Sequence, residues 1–246
     1  MILILGSHQD DVLYCSSLLN KRVNDTLLGR FPMAKGDIFN QEVLIVSGLH
    51  TSILGSAVTS YLLTQNYVNL IIVLGKCYAL DSSFKPGQIV MAREIIDLDV
   101  DQIDVANATL GQVPGMPAVY HVQKDLIGYV RDGFSKRTLT GASTVTMLSS
   151  DNLNSPVVAG ALRHKTVLGQ GGPFVVDSLS YGVAVAGMLQ GVPCLSVKAV
   201  ERNLADKKSI EGYIDALDTY VDIGKAVVYT IGDIGRSDVL RLRRGA

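Results

Sequence analysis

The sequence predicts an α/β protein in which helices lie against a largely parallel sheet, and two observations carry that prediction. Short runs such as Leu70-Ile71-Ile72-Val73-Leu74 are apolar throughout, as strands buried on both faces must be. Between them lie longer stretches whose apolar residues recur at helical spacing. With 246 residues, 48% hydrophobic and 18% charged, the chain is long enough to bury a substantial core. No repeat, linker or low-complexity tract divides it, so one domain over 1–246 is expected.

The elements follow in order. Ile2–Leu5 reads as a first strand that gives way at Gly6 to a helix from about Asp10 to Asn20. Val43–Ser47 is a second strand, and from Ser52 the apolar positions Ile53, Leu54, Ala57, Val58, Tyr61 and Leu62 mark a helix. Leu70–Leu74 ends at Gly75, and Gln88–Ala92 follows a turn at Pro86-Gly87. A helix near Val122–Phe134 leads to the strand Val145–Leu148. Pro173–Asp177 and Cys194–Val200 are strands, with a small-residue helix Ser180–Leu189 between them and a closing helix over Ile210–Tyr229.

Composition excludes several classes of function. A formal charge of −1 supplies no field for nucleic acid, and Arg241-Leu242-Arg243-Arg244 reads as a solvated terminus. Mean hydropathy is +0.28, but no apolar run approaches the roughly 20 residues of a membrane span. Met1–Leu5 lacks the charged leader of a secretory segment, so the cytoplasm is the expected compartment. Cys15, Cys77 and Cys194 are odd in number and widely spaced, which suits buried thiols and not a disulfide framework.

Ligands of such sheets collect at the carboxyl ends of strands. The positions to interrogate are therefore Ser7–Asp11, Gly48–Thr51, Gly75–Ala79, Ser149–Asn154, Asp177–Leu179 and Glu201–Asn203. Beside them stands a shaped loop, Gly111-Gln112-Val113-Pro114-Gly115-Met116-Pro117, ten residues after Asp99-Val100-Asp101. With Ser47-Gly48-Leu49, Lys85-Pro86-Gly87-Gln88-Ile89-Val90, Ser150-Asp151, Val176-Asp177, Val192-Pro193 and Lys198-Ala199-Val200, these segments resemble the 5′-methylthioadenosine/S-adenosylhomocysteine nucleosidases over roughly residues 1–230. The resemblance implies a nucleoside phosphorylase-like fold, a three-layer α/β/α sandwich with a central mixed, largely parallel sheet. It also implies a homodimer, a purine nucleoside or related small molecule as ligand, and no metal or other cofactor.

Breaking an N-glycosidic bond requires a base to activate water, an acid for the departing purine and a polar clamp on the ribose. The resemblance places Asp11 where the family has a glutamate, one methylene shorter. It places Ser178-Leu179 at the family's ribose-binding Met-Glu pair, and Glu201-Arg202 at the Ser-Asp that holds the purine acid. Leucine cannot bond a diol, and arginine donates no proton at neutral pH. Glu201 is then the remaining candidate acid and Asp11 the candidate base. Around them, Lys198 replaces the family's arginine, Leu153 replaces a base-stacking phenylalanine, and Lys76-Cys77-Tyr78-Ala79 puts bulk into a Ser-Ala-Gly-Gly turn. Val105, Ala106 and Asn107 stand where aromatic residues line the alkylthio pocket. Gly48, Lys76, Asp151, Leu153, Asn154, Asp177, Ser178, Leu179, Lys198 and Arg202 form the expected ligand-binding set.

The expectation is a nucleosidase-like protein whose activity is lost or altered. Hydrolysis of a different nucleoside through Asp11 and Glu201 is one alternative, and a nucleoside-binding or structural pseudoenzyme is another. In the inactive case the charges pair among themselves, Lys198 or Arg202 with Asp177. Ser7-His8-Gln9-Asp10-Asp11 also resembles the Ala-His-Pro-Asp-Asp opening of zinc-dependent N-acetylglucosaminyl deacetylases. That family's following glutamate is here Val12, and neither His121 nor His164 sits in a ligand motif, so His8 reads as a polar strand-end residue. Gly169-Gln170-Gly171-Gly172 precedes a strand and reads as a loop, not a phosphate-binding turn.

Overall fold

The computed structural model describes residues 1–102, 108–137, 141–153, 172–204 and 217–234. The strands are β1 (Ile2–Gly6), β2 (Asn20–Leu27), β3 (Phe31–Ile38), β4 (Gln41–Val46), β5 (Leu70–Ala79), β6 (Ile89–Asp97), β7 (Tyr120–His121), β8 (Ala142–Ser149), β9 (Phe174–Asp177) and β10 (Cys194–Asn203). The helices are α1 (Gln9–Ser17), α2 (Ser52–Gln65), α3 (Lys124–Arg137), α4 (Ser180–Leu189) and α5 (Leu217–Asp233).

All ten strands belong to one mixed sheet. The pairs β1–β4, β1–β5, β5–β10, β6–β8 and β8–β9 are parallel. Antiparallel pairs join β10 to β6, β5 to β9 and β6 to β7, and run through the β2–β3–β4 meander. Because β10 pairs with both β5 and β6, the strands β5, β10, β6, β8 and β9 close into a ring. Closure removes the edges of these strands and creates an interior into which alternate side chains point.

The predicted strands are present because their apolar runs are buried on both sides: Ile2, Ile4, Val43, Ile45 and Ile72 enter one core, while Leu3, Leu5, Leu44, Val46 and Val73 enter another. Thr51 caps α2 by accepting from Leu54 N at 3.1 Å. Gly182 lets α4 lie against that helix, since a Cβ there would meet the Ser52 carbonyl oxygen at 2.0 Å.

Three expectations are corrected. The first helix ends at Ser17, and Asn20 opens the β2–β3 hairpin, which the apolar pattern does not announce because β2 is exposed along most of its length. The strand beginning at Leu70 does not stop at Gly75. It continues to Ala79, paired with β10 in the register Lys198↔Gly75, Ala199↔Lys76 and Val200↔Cys77. The Lys76-Cys77-Tyr78-Ala79 segment is thus strand and not turn, with its backbone partners supplied by β10. The sheet is also less dominated by parallel pairs than expected, owing to the meander and the ring closure. Of the predicted closing helix, Leu217–Tyr229 is helical and 210–216 lie outside the described residues.

Candidate functional site

The carboxyl ends of β1, β5, β9 and β10 gather a set of charged side chains. Asp11, in the first turn of α1, is 3% exposed and accepts from the His8 backbone N–H at 2.7 Å through Oδ2. Its Oδ1 is buried without a hydrogen-bond partner among the described residues. Burial pushes its carboxyl above the usual aspartate range, against the pull of the His8 amide, Lys198, His8 and Lys76. Gly75 makes this position accessible. Its φ is +141°, and a Cβ there would lie 2.9 Å from Asp11 Oδ2.

Behind Asp11 lies a fully buried ion pair. Lys198 Nζ stands 2.9 Å from Asp177 Oδ2, with side-chain exposures of 0% and 2%. Asp177 also accepts from Ser149 Oγ at 2.8 Å and Ser180 Oγ at 2.5 Å. Ser180 Oγ in turn meets Ser196 Oγ at 2.7 Å, and both lie beside the Met147 sulfur. The knot ties β8, β9, α4 and β10 together and satisfies both charges inside the ring. Of the two pairings expected for Asp177, Lys198 makes one, while Arg202 is exposed.

A second ion pair sits nearer solvent, where Lys76 Nζ meets Glu201 Oε1 at 2.7 Å. The hydroxyl of Tyr78 faces the same carboxylate, and its pKa is raised by desolvation first and by Glu201 second. At the mouth, the rings of His8 and His50 are 4.8 Å apart, and Ser178 Oγ donates to the His50 carbonyl at 3.0 Å. Gly48 turns the chain with φ of +89° just before this carbonyl.

The remaining predicted residues are not in this cluster. Leu179 is 0% exposed and packs in the core with Val58, Leu62 and Val183, a Cβ on Gly55 being within 2.5 Å of it. Asp151 instead accepts from Ser52 N, the first helical amide of α2, at 2.6 Å, and its own amide donates to Asp99 at 2.7 Å. Leu153 packs on the small cluster of Leu80, Ile96, Leu148, Phe174 and Val176. Asn154, Val105, Ala106, Asn107, His164, Arg241, Arg243 and Arg244 lie outside the described residues, as does most of the 169–172 turn. Sequence reasoning reached Ser149 as the start of a strand-end segment but passed over Ser180 and Ser196, single serines at a helix start and in an apolar strand, which carry no signal until the fold juxtaposes them.

Among the described residues, no group of three or more His, Cys, Asp or Glu side chains converges on a metal position. No described helix is long and apolar enough to cross a membrane. The three cysteines are free, and desolvation pushes the thiols of Cys15 and Cys194 up to about 12, which keeps them protonated.

The comparisons with known proteins agree with this architecture. The sequence profile of the phosphorylase superfamily matches residues 1–230. A 5′-methylthioadenosine/S-adenosylhomocysteine nucleosidase from an Exiguobacterium species is 26% identical over 129 residues, 52% of this chain and 54% of the relative. The chain thus spans about half the length of that curated relative. In three dimensions it resembles the Neisseria meningitidis nucleosidase of the same kind, solved with methylthio-immucillin-A, at a TM-score of 0.82 and 18% identity, covering 94% of this chain and 98% of that one. Futalosine hydrolase of Helicobacter pylori matches at a TM-score of 0.80 and 15% identity, over 94% and 97% of the two chains.

Proposed function

This chain belongs to the phosphorylase superfamily, and from that premise we propose that it is a nucleosidase-like protein in which hydrolysis of the N-glycosidic bond has been lost. The observation that carries the reading is the state of Glu201. It is the remaining carboxylate at the position of the purine acid, and it accepts from Lys76 at 2.7 Å. An ammonium donating to this oxygen turns it toward Lys76 as an acceptor and away from a leaving base. The neighbouring Arg202 cannot serve in its place. The ribose clamp is missing as well, because Leu179 is turned into the α2–α4 interface. Asp177 has its oxygens committed to Lys198, Ser149 and Ser180.

One observation favours a second reading, residual hydrolysis of a different nucleoside. Asp11 is a buried carboxylate of raised pKa with one oxygen unpartnered, the condition in which a general base operates. Under either reading the ligand class is a purine nucleoside or a related small molecule, and the protein is a cytoplasmic homodimer that needs no metal. Exposed apolar side chains on α2 and α4, Ile53 at 75% and Leu189 at 66%, support self-association.

The test is release of base from 5′-methylthioadenosine, S-adenosylhomocysteine and futalosine by the purified protein. The expected result is no release above a protein-free control. Release that disappears in an Asp11→Ala variant overturns the proposal and establishes the second reading. A thermal-shift series with the same nucleosides separates a binding protein, which is stabilised by linkage, from a bare scaffold.

A further inference from the structure

We propose that the cleft between α1 and the β2–β3–β4 end of the sheet is a second binding site, for a small molecule bearing an oxyanion. The cleft has a volume of about 220 Å³, room for a small molecule. One wall is α1, where Gln9, Leu13 and Ser16 recur at helical spacing. The other is the sheet face bearing Asn24, Ala34 and Ile45, which the register places side by side across β2, β3 and β4. Ser47, two residues beyond Ile45, falls on the same face.

What points to a ligand is the polar chemistry on these walls. Ser16 is 7% exposed and Ser47 2%, and among the described residues neither hydroxyl has a hydrogen-bond partner. Two hydroxyls that open on one cleft and are not engaged by described protein groups are available to bond an occupant in place of water. The charged residues at the cleft are Arg22 and Asp25, and the guanidinium is the cation available to a ligand. Arg22 Nε donates to Asn24 Oδ1 at 2.7 Å, which holds the guanidinium on the cleft side of β2. Asp25 also borders the cleft, as does its register partner Met33, and its Oδ1 accepts from Thr26 N. A guanidinium, two hydroxyls and the carboxamides of Gln9 and Asn24 form a donor-rich lining over an apolar floor of Val12, Pro32 and Ile45. That arrangement matches a phosphate or carboxylate carried on a small organic body. The Asp11 carboxylate faces Gly75 on β5, so this cleft is separate from the strand-end cluster.

The experiment is calorimetric titration of the full chain with inorganic phosphate and, separately, with acetate, each at ionic strength held constant with sodium chloride. Saturable binding of one ion per chain by at least one probe is expected, and the probe that binds identifies phosphate or carboxylate as the anion. Arg22→Gln should weaken binding about tenfold or more, the loss of one charge-assisted contact. Ser47→Ala should weaken it several-fold, and Lys76→Gln should leave it unchanged. Because Arg22 is exposed, the melting temperature of Arg22→Gln in anion-free buffer should equal that of the parent. Absence of saturable binding by both probes overturns the proposal, as does binding that survives Arg22→Gln but is lost in Lys76→Gln. Neither outcome bears on base release, so this site and the nucleosidase reading fail independently.

Discussion

Two ion pairs of nearly equal length stand at the same end of the sheet, and burial gives them different work. Lys198–Asp177 is 2.9 Å long with both side chains essentially unexposed, while Lys76–Glu201 is 2.7 Å long with 28% and 12% exposure. In the first, neither charge can return to water, so Ser149 and Ser180 must complete the hydrogen bonding of Asp177, and the pair becomes a joint between four elements. In the second, solvent shares the cost, and the pair mainly decides what Glu201 is free to do. The comparison shows how one end of a sheet can hold one ion pair as a buried joint and another within reach of solvent.

The largest expected effect breaks the buried pair. Lys198→Met removes the counter-ion of the buried Asp177, and should cost about 3–5 kcal/mol in urea unfolding. The double variant Lys198→Met with Asp177→Leu should recover much of that loss. If the single variant unfolds like the parent, the joint is not structural.

Asp11 supplies a second contrast, a buried carboxylate without a full ion-pair partner. Its folded pKa lies above the ordinary aspartate value of 3.8, so between the unfolded and folded values the native state holds more protons than the unfolded chain. Its contribution therefore falls as pH rises through that window. Asp11→Asn should gain stability relative to the parent from just above 3.8 upward, reaching its full advantage beyond the folded pKa. Paired melting curves across pH check this, and an advantage that shrinks as pH rises would contradict it.

The smallest effect is at the rim. Glu201→Gln should change stability by about 1 kcal/mol or less, since the pair is partly solvated.

Much of this fold was legible because its strands are buried on both faces. Ile2–Leu5, Val43–Val46 and Leu70–Leu74 are apolar runs with no other good destination in a chain of this length. The β2–β3 hairpin was not legible, because Asn20 through Thr26 is exposed and polar and β3 carries Pro32 and Gly36. The extension of β5 past Gly75 was hidden for a different reason. A glycine there reads as a stop, whereas its φ of +141° lets the strand pass Asp11 and continue against β10.

The site divides along the same line. Asp11, Lys76, Asp177, Lys198 and Glu201 could be nominated from the strand-end rule and the family resemblance, because charges following apolar runs are conspicuous in one dimension. By itself the sequence determined the α/β class and the superfamily membership that its motifs imply. Only the tertiary structure decided which charges meet. It paired Lys198 with Asp177 and Lys76 with Glu201, turned Leu179 into a helix interface and drew Asp151 to the start of α2. The physical reason is that ion pairing and burial depend on distances across strands 21 to 125 residues apart in the chain. Local pattern carries no information about those distances until the ring of strands has closed.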